Sequence, residues 1–243
     1  MCWPREDAML KAHIIKNRRE LEVDVTLELE AGGSVGLFGA SGAGKSTVLA
    51  CIAGIEAPDG GSVRLNGLQL FPPSLPLHHR PLGYLTQEPG LFPHLSVSEN
   101  ISFGISRETA ADSAHQQWIA TLRDRLQLST LWNAPASLIS GGQARRVALA
   151  RMLARKPPLV LLDEPFAGLD RQLVRELIDD LIFWGRQIGF STIAVDHQAE
   201  VLQRLCPQQA IVIEQGKIVQ RGSWCELRNA PATPLLQSLL APL

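Results

Sequence analysis

The chain has 243 residues, 45% of them apolar, with 23 basic and 24 acidic side chains and a formal net charge of −1. This apolar fraction is enough for a packed core and excludes a fibrous or disordered chain. The near-neutral charge gives no general attraction to nucleic acid, so we expect no nucleic-acid partner. No apolar stretch reaches the roughly 20 residues of a membrane helix. The polar N-terminus also lacks the apolar core of a signal peptide, and we expect a cytoplasmic location.

The first third of the sequence predicts strands, a glycine-rich loop and a helix. Residues 21–30 alternate apolar and acidic side chains, which is typical of a half-exposed strand. Residues 34–38 form a short β-rich run of the length of a buried strand, and residues 45–53 have spacing that is compatible with a helix. Short strands are predicted at 62–65 and 83–86.

The remainder predicts an alternation of helices and strands. Residues 88–155 read as mainly helical, with apolar residues at helical spacing between 110 and 128. The later predicted elements are a continuous apolar strand at 159–162, an amphipathic helix at 171–187 and strands at 192–195 and 210–213. This order indicates an α/β core with a parallel sheet and an inserted helical subdomain.

A glycine-rich loop follows the strand at 34–38 and fits the pattern G-x-x-x-x-G-K-[ST] without a mismatch. Glycines allow consecutive backbone N–H groups to turn toward phosphate oxygens, and the following helix presents its N-terminal amides to the same anion. Lys45 supplies a charge for the β- and γ-phosphates, and the Ser46 hydroxyl is suited to Mg²⁺. The predicted nucleotide-binding residues are Gly39, Ala40, Ser41, Gly42, Ala43, Gly44, Lys45, Ser46 and Thr47.

Two carboxylates, Asp163 and Glu164, follow the apolar run at 159–162. Ligands of open α/β sheets bind at the carboxyl ends of the strands. We therefore expect Asp163 to reach the Mg²⁺ held by Ser46 and Glu164 to polarise an attacking water.

A second turn with anion-binding character lies about twenty residues earlier. Ser140, Gly141, Gly142 and Gln143 open a predicted helix. Taken alone, the turn is explained equally well by an anion-binding nest or by an ordinary capped helix start.

Together with these motifs, the sequence resembles the ATP-binding-cassette (ABC) family, and the resemblance covers roughly residues 10–225. The 139–143 segment resembles the family signature, Gln87 the Q-loop glutamine, and His197 the switch histidine. The segment Ala167-Gly168-Leu169-Asp170 resembles the D-loop, and residues 92–101 resemble the stretch after the Q-loop in importer ATPases.

The resemblance implies a P-loop NTPase core with a mostly parallel sheet, an N-terminal antiparallel β subdomain and the helical insertion. It further implies ATP and Mg²⁺ as ligands and a head-to-tail dimer, in which Ser140 and Gly142 face the partner's nucleotide. Glu164, His197 and Gln87 would be catalytic, Gln87 would also sense Mg²⁺, and Asp170 would connect the two sites. Transmembrane permease subunits, a solute-binding protein and a position on the inner face of the cell membrane complete the implied system.

Several positions depart from the family pattern. Ala167 stands where many relatives carry serine, and Asp196 stands where a small hydroxyl residue is common, which puts a negative charge near phosphate unless it points away. No aromatic residue occurs near positions 13–19 to stack on adenine. Arg18 or Arg19 could stack instead, and an exposed basic turn is the alternative.

The domain organisation expected is a leader of unknown role at 1–8, a single ATPase domain at 9–225 and a short packed or subunit-contact tail at 226–243, with no regulatory domain. The four cysteines lie far apart, which argues against a zinc site or a disulfide framework. Short N-terminal and post-Q-loop segments look similar to molybdate-type importer ATPases. Thiamine, sulfate and ferric-iron importers are the alternatives, and a soluble non-transport ABC ATPase is the alternative from another class.

Overall fold

A computed structural model describes residues 9–18 and 21–240. The described residues form one sheet of ten strands with helices packed on it. The strands are β1 Leu10–Arg18, β2 Leu21–Leu29, β3 Ser34–Phe38, β4 Gly60–Leu65, β5 Leu68–Phe71, β6 Leu82–Leu85, β7 Leu159–Asp163, β8 Ser191–Val195, β9 Gln209–Glu214 and β10 Lys217–Gly222. The α-helices are α1 Lys45–Ala53, α2 Val97–Ser102, α3 Arg107–Ala111, α4 Ser113–Arg125, α5 Gly141–Ala154, α6 Arg171–Ile188, α7 Ala199–Leu205, α8 Trp224–Asn229 and α9 Pro234–Leu240.

The sheet has the strand order β5-β4-β1-β2-β10-β9-β3-β8-β7-β6. Neighbours from β9 through β3, β8 and β7 to β6 run parallel, whereas β5, β4, β1 and β2 form an antiparallel ladder. The predicted fold class, a P-loop type α/β core with an antiparallel β portion and a helical insertion, is confirmed. The central parallel strands are buried on both faces, which explains their continuous apolar sequences.

Two apolar clusters lie on opposite faces of the sheet. One packs α1 against the antiparallel strands and β3, and the other packs α5 to α8 and the end of α4 against the parallel strands. Leu236 of α9 is fully buried in the second cluster. Helix α9 therefore packs on the domain through this residue.

Some elements differ from the sequence-based expectation. Residues 10–18 form strand β1, so Arg18 ends a strand rather than lying in a basic turn, and Arg19 falls outside the described residues. Strands β5 and β10 were not predicted. Within 88–155, the segment before α2 and the segment between α4 and α5 are not α-helical. The buried Asn100 explains why the segment before α2 is not helical. Its side-chain amide forms hydrogen bonds with the backbone of Phe92 and Leu95 and fixes the segment as a loop.

Candidate nucleotide site

The glycine-rich loop connects the end of β3 to the first residue of α1. Gly39, Gly42 and Gly44 have φ values of 144°, 79° and 100°, a region that side chains with a Cβ rarely adopt. A Cβ at Gly39 would lie 2.2 Å from the carbonyl oxygen of Ile213. The close packing of β9 against the loop therefore requires glycine at position 39, independently of any ligand.

A cavity of about 610 Å³ opens over this loop. Its volume lies within the range of small-molecule sites, roughly 300–1,000 Å³. The residues that line it are Arg18, Leu21, Ser41, Gly42, Gly44, Lys45, Ser46, Thr47 and Glu164. The predicted loop residues and Glu164 thus border one space, and Arg18 lies in its wall with its guanidinium paired to the Glu56 carboxylate.

Lys45 is the main cation of the cavity, and it is only 7% exposed. Its Nζ donates hydrogen bonds to the carbonyl oxygens of Gly39 at 2.9 Å and Ala40 at 2.7 Å. Burial lowers the pKa of Lys45, and the negative charges of Glu164 and Asp163 oppose that shift. A negatively charged phosphate oxygen could replace these carbonyl oxygens as the acceptor and would then form an ion pair with the Lys45 ammonium group.

Asp163 lies at the carboxyl end of β7, facing the start of α1. Its Oδ1 accepts a hydrogen bond from the Ser46 hydroxyl at 2.8 Å, and its Oδ2 accepts one from the Tyr84 hydroxyl at 3.0 Å. Two hard oxygen atoms so close together are the ligand type that Mg²⁺ prefers, so the residues fit this ion. Burial raises the pKa of Tyr84 well above its usual value, which keeps the hydroxyl protonated as a donor.

Sequence reasoning missed Tyr84 as a site residue. It lies on β6, which pairs with β7 in parallel, and the register places Tyr84 opposite Leu161. No local sequence pattern marks Tyr84, because its contact with Asp163 depends on β6 and β7 being neighbours in the sheet.

Glu164 and His197 follow adjacent strands, β7 and β8. The Glu164 carboxylate Oε2 lies 4.0 Å from Nδ1 of His197, whose side chain is 61% exposed. Glu164 has a φ of 45°, and its backbone N–H donates to Val195 at 2.9 Å. The strained backbone at Glu164 is therefore fixed by a bond to the neighbouring strand, and the two predicted catalytic side chains are brought together.

Asp196 is 3% exposed, and its Oδ1 accepts a hydrogen bond from the Gln198 backbone N–H at 2.8 Å. Burial raises the pKa of Asp196. Its carboxylate therefore caps the turn before α7, and its charge still acts on Lys45 and Glu164 of the site.

Gln87 and the signature residues lie outside this cavity. Gln87 is exposed, and its carbonyl oxygen, like that of Thr86, accepts a hydrogen bond from the buried Arg145 guanidinium. Sequence reasoning did not identify Arg145, which ties α5 to this loop. Ser140 caps α5 in a capping box with Gln143, with bonds of 2.9 and 3.3 Å, and remains exposed.

The other predicted residues of this region lie at helix starts. Asp170 caps α6 by accepting a hydrogen bond from the Leu173 backbone N–H at 2.9 Å. Gly141 is open to solvent, whereas a Cβ at Gly142 would lie 2.7 Å from the Leu173 side chain. Ser140 and Asp170 thus have a structural role within the chain, because each caps the N-terminus of a helix.

Comparison with known proteins identifies the class. Residues 23–167 match the family model described as ABC transporter. A protein named probable sulfate/thiosulfate import ATP-binding protein, from Chlorella vulgaris, is 38% identical over 89% of this chain and 90% of that protein. The Fe(3+) ions import ATP-binding protein of Pseudomonas fluorescens is 43% identical over 86% of this chain and 58% of that protein.

A third relative, the molybdate/tungstate import ATP-binding protein of Thermococcus kodakarensis, is 38% identical over 90% of this chain and 66% of its own length. This chain therefore spans 58% to 90% of the length of these three relatives. A solved nucleotide-free ATP-binding cassette from an ABC transporter superposes with a TM-score of 0.79, covering 97% of this chain and 100% of that one at 22% identity.

A second solved structure, cbiO1 of Clostridium perfringens, described as part of the ABC transporter complex cbiONQ, superposes with a TM-score of 0.76 over 93% of each chain at 23% identity. These two superpositions establish the fold. The family match and the relatives establish membership: the chain belongs to the ABC transporter family, among the importer-type ATP-binding subunits that are ATPases. In the part of the chain that the structure covers, no helix is both long and apolar enough to cross a bilayer.

Proposed function

We propose that this chain binds MgATP at the cavity over the 39–47 loop and hydrolyses it to drive a membrane permease of an importer. The observation that carries the proposal is the 2.8 Å contact between Ser46 and Asp163 beside the buried Lys45. Lys45 and Ser46 come from the start of α1 and Asp163 from the end of β7, and they meet beside the loop, as a triphosphate with a divalent cation requires.

The residues of the cavity would divide the chemistry. Backbone N–H groups of the loop and Lys45 would hold the phosphates. Ser46 and Asp163 would hold Mg²⁺, which would neutralise part of the phosphate charge. Glu164 would accept a proton from the attacking water, and His197 would orient that water and the γ-phosphate. The 4.0 Å separation of Glu164 and His197 supports this assignment because it leaves both groups within reach of one water.

The signature residues and Gln87 would act at a composite site. Ser140, Gly141, Gly142 and Gln143 are remote from the cavity of their own chain, so their anion would be the nucleotide of a second copy in a head-to-tail dimer. The exposed N-terminus of α5 supports this role, since its amides and dipole favour an anion. Gln87 would reach Mg²⁺ and water on closure, and Asp170 would transmit closure between the sites.

The importer assignment rests on the relatives. Their names specify import of sulfate/thiosulfate, ferric ions or molybdate/tungstate. We propose an oxyanion, either molybdate or sulfate, as the cargo of this system, with ferric iron and thiamine as alternatives. Permease subunits and a solute-binding protein would complete it, and the chain would sit on the cytoplasmic face of the membrane. Recovery of a membrane permease with the tagged chain from native membranes tests this assignment.

Replacement of Glu164 by glutamine tests the hydrolytic role. We expect Glu164→Gln to bind MgATP as the parent chain does, because the loop is untouched. Turnover should fall by roughly 10² to 10⁴, the usual contribution of a general base. The matched control is Glu200→Gln, an exposed glutamate of α7 that does not line the cavity. Turnover of Glu164→Gln equal to that of the control would remove Glu164 from the mechanism.

A further inference from the structure

The described residues also enclose a cavity of about 460 Å³ in the helical insertion, and none of its lining residues belongs to the candidate nucleotide site. It lies where α3 and the start of α4 meet the C-terminal end of α5. Its volume is in the range of small-molecule sites.

Two cations, Arg155 and Lys156, stand at the rim of this cavity, directly after α5. Among the described residues, neither has a carboxylate within 4.0 Å. Lys156 instead lies 5.1 Å from the ring centre of Trp118, whose indole N–H is fixed to the Leu153 carbonyl oxygen at 3.1 Å. The ammonium group itself lies over the face of the ring, and because it carries three N–H donors it can also bind a ligand.

His115 of α4 provides a buried polar group in the same wall. It is 8% exposed, and its Nε2 has no hydrogen-bond partner within the described structure. An imidazole nitrogen that is taken out of water without a partner costs free energy, and native proteins usually supply one. The ring also borders an adjoining cavity of about 250 Å³. Less than 1 Å² of this nitrogen is accessible, so in this conformation the His115 ring forms part of the cavity wall and Nε2 does not face a ligand.

Two hydroxyl groups, of Ser106 and Thr109, also line the cavity and can take part in hydrogen bonds. The Ser106 hydroxyl donates to Oγ1 of Thr109 at 2.8 Å, which leaves the hydrogen of the Thr109 hydroxyl free to donate to a ligand. One carboxylate, that of Asp112, also lines the cavity, and it accepts a hydrogen bond from the Ala114 backbone N–H at 3.2 Å. With two cations and one anion, the cavity has a net positive charge.

We propose that this cavity, which we call the α5-end pocket, binds a small tetrahedral oxyanion such as inorganic phosphate, sulfate or the phosphate group of a larger molecule. Arg155 and Lys156 would pair its charge, while the Thr109 hydroxyl would donate a hydrogen bond. The simpler role of the cations is to offset the negative dipole end of α5. That role needs no ligand, and a titration with anions separates the two roles.

A titration of the full chain with sulfate or phosphate tests the proposal. A Lys45→Ala background removes the competing phosphate loop, and chloride holds the ionic strength constant. Calorimetry and the histidine ring resonances, assigned with His115→Phe, should report one saturable site. We expect Arg155→Gln with Lys156→Gln to weaken binding about tenfold or more, the usual effect of losing charge-assisted hydrogen bonds. Arg186→Gln, an exposed arginine outside the pocket, should change it less than about twofold.

A parallel arm offers vesicles of phosphatidylglycerol, which distinguishes a lipid phosphate from a free ion as the source. Binding of either probe that is weakened by the Arg155/Lys156 pair of changes and retained in Arg186→Gln supports the pocket. Absence of binding to both probes, or binding that the pair of changes leaves unaltered, overturns it. ATP hydrolysis by the chain with an intact Lys45 is measured separately, so failure of the pocket is distinguishable from failure of the proposed ATPase role.

Discussion

At the scale of single residues, the orientation of Asp163 depends on two hydroxyl donors from different elements. Ser46 fixes one carboxylate oxygen and Tyr84 the other. The ring of Tyr84 also belongs to the apolar packing around α1. We regard Tyr84 as a positioning residue, because its partner is Asp163 and it does not line the nucleotide cavity.

Replacement of Tyr84 by phenylalanine should therefore change the use of Mg²⁺ more than the binding of nucleotide. The ring packing is retained and one hydrogen bond to a carboxylate is lost, which is worth about 1.5–3 kcal/mol. We expect the Mg²⁺ concentration for half-maximal ATPase activity to rise about tenfold, with little change in metal-free ATP affinity. An unchanged Mg²⁺ dependence in Tyr84→Phe would show that Asp163 is positioned without this bond.

Site residues that belong to a recognisable motif could be predicted, even where they meet across 117 residues as Ser46 and Asp163 do, whereas residues outside any motif could not. The loop at 39–47 is contiguous, and its chemistry is readable from a local pattern. Tyr84 and Asp163 are separated by 79 residues, and Arg145 lies 59 residues from the Thr86 carbonyl it binds. Those contacts depend on strand order and helix packing, which no local pattern specifies.

At the scale of elements, helix α1 has its C-terminal end anchored by a buried cation. Arg80 is 1% exposed and donates hydrogen bonds to the carbonyl oxygens of Ile52 at 2.7 Å, Leu75 at 2.9 Å and Cys51 at 3.2 Å. The last carbonyls of a helix lack partners of their own, and a cation there also favours the helix dipole. Arg80 thus holds the helix that follows the phosphate loop against the 70–75 segment.

Replacement of Arg80 by glutamine should destabilise the fold, because several buried carbonyl oxygens lose their donors. We expect the free energy of unfolding in urea to fall by about 3 kcal/mol. Arg186→Gln is the control, since Arg186 is exposed, and it should change the value by less than about 0.5 kcal/mol. Equal stabilities for the two variants would mean that water or other donors replace the guanidinium.

Element prediction failed where tertiary contacts decide the local structure. Strand β1 ends in the polar run Lys16 to Arg18, which lies in the sheet because it pairs with β2, and Lys16 also forms an ion pair with Asp59 at 2.8 Å. Strand β10 is half-exposed along its length and carries few apolar residues. The longer, periodic helix α6 was predicted to within one residue, because its apolar face alone specifies it.

At the scale of the whole molecule, two buried thiols link stability to alkaline pH. Burial raises the pKa of Cys51 to about 11 and that of Cys206 to about 12. In the unfolded chain both thiols lose their protons near pH 8.5. The unfolded state therefore binds fewer protons above that pH, and the free energy of unfolding falls as pH rises through the window from about 8.5 to 11.

Alanine at both positions should flatten this fall, by about 2 kcal/mol for each thiol across the window. The measurement is the urea-unfolding free energy of Cys51→Ala/Cys206→Ala at several pH values, compared by slope so that lost packing does not interfere. Cys225 is exposed, and Cys225→Ala should keep the parent slope. A double variant with the parent slope would contradict the assignment of the alkaline loss to these thiols.

The central claim at this scale is that each ATP site is completed by the signature of a second copy. Two variants separate the two parts of such a site, the phosphate loop and the signature. Lys45→Ala disables the loop and keeps the signature. Ser140→Asp keeps the cap of α5, because aspartate caps as well as serine, and places a negative charge where the partner's phosphates would lie.

The most direct measurement is the ATPase activity of the two variants mixed in equal amounts. In the proposed head-to-tail dimer, neither homodimer would have an intact site, whereas each mixed dimer would have one, formed by the loop of one copy and the signature of the other. We expect both variants alone to be inactive and the mixture to recover roughly a quarter of the parent activity, since half of the dimers carry one of two sites. A mixture as inactive as its components, or full activity of Ser140→Asp alone, would contradict the account.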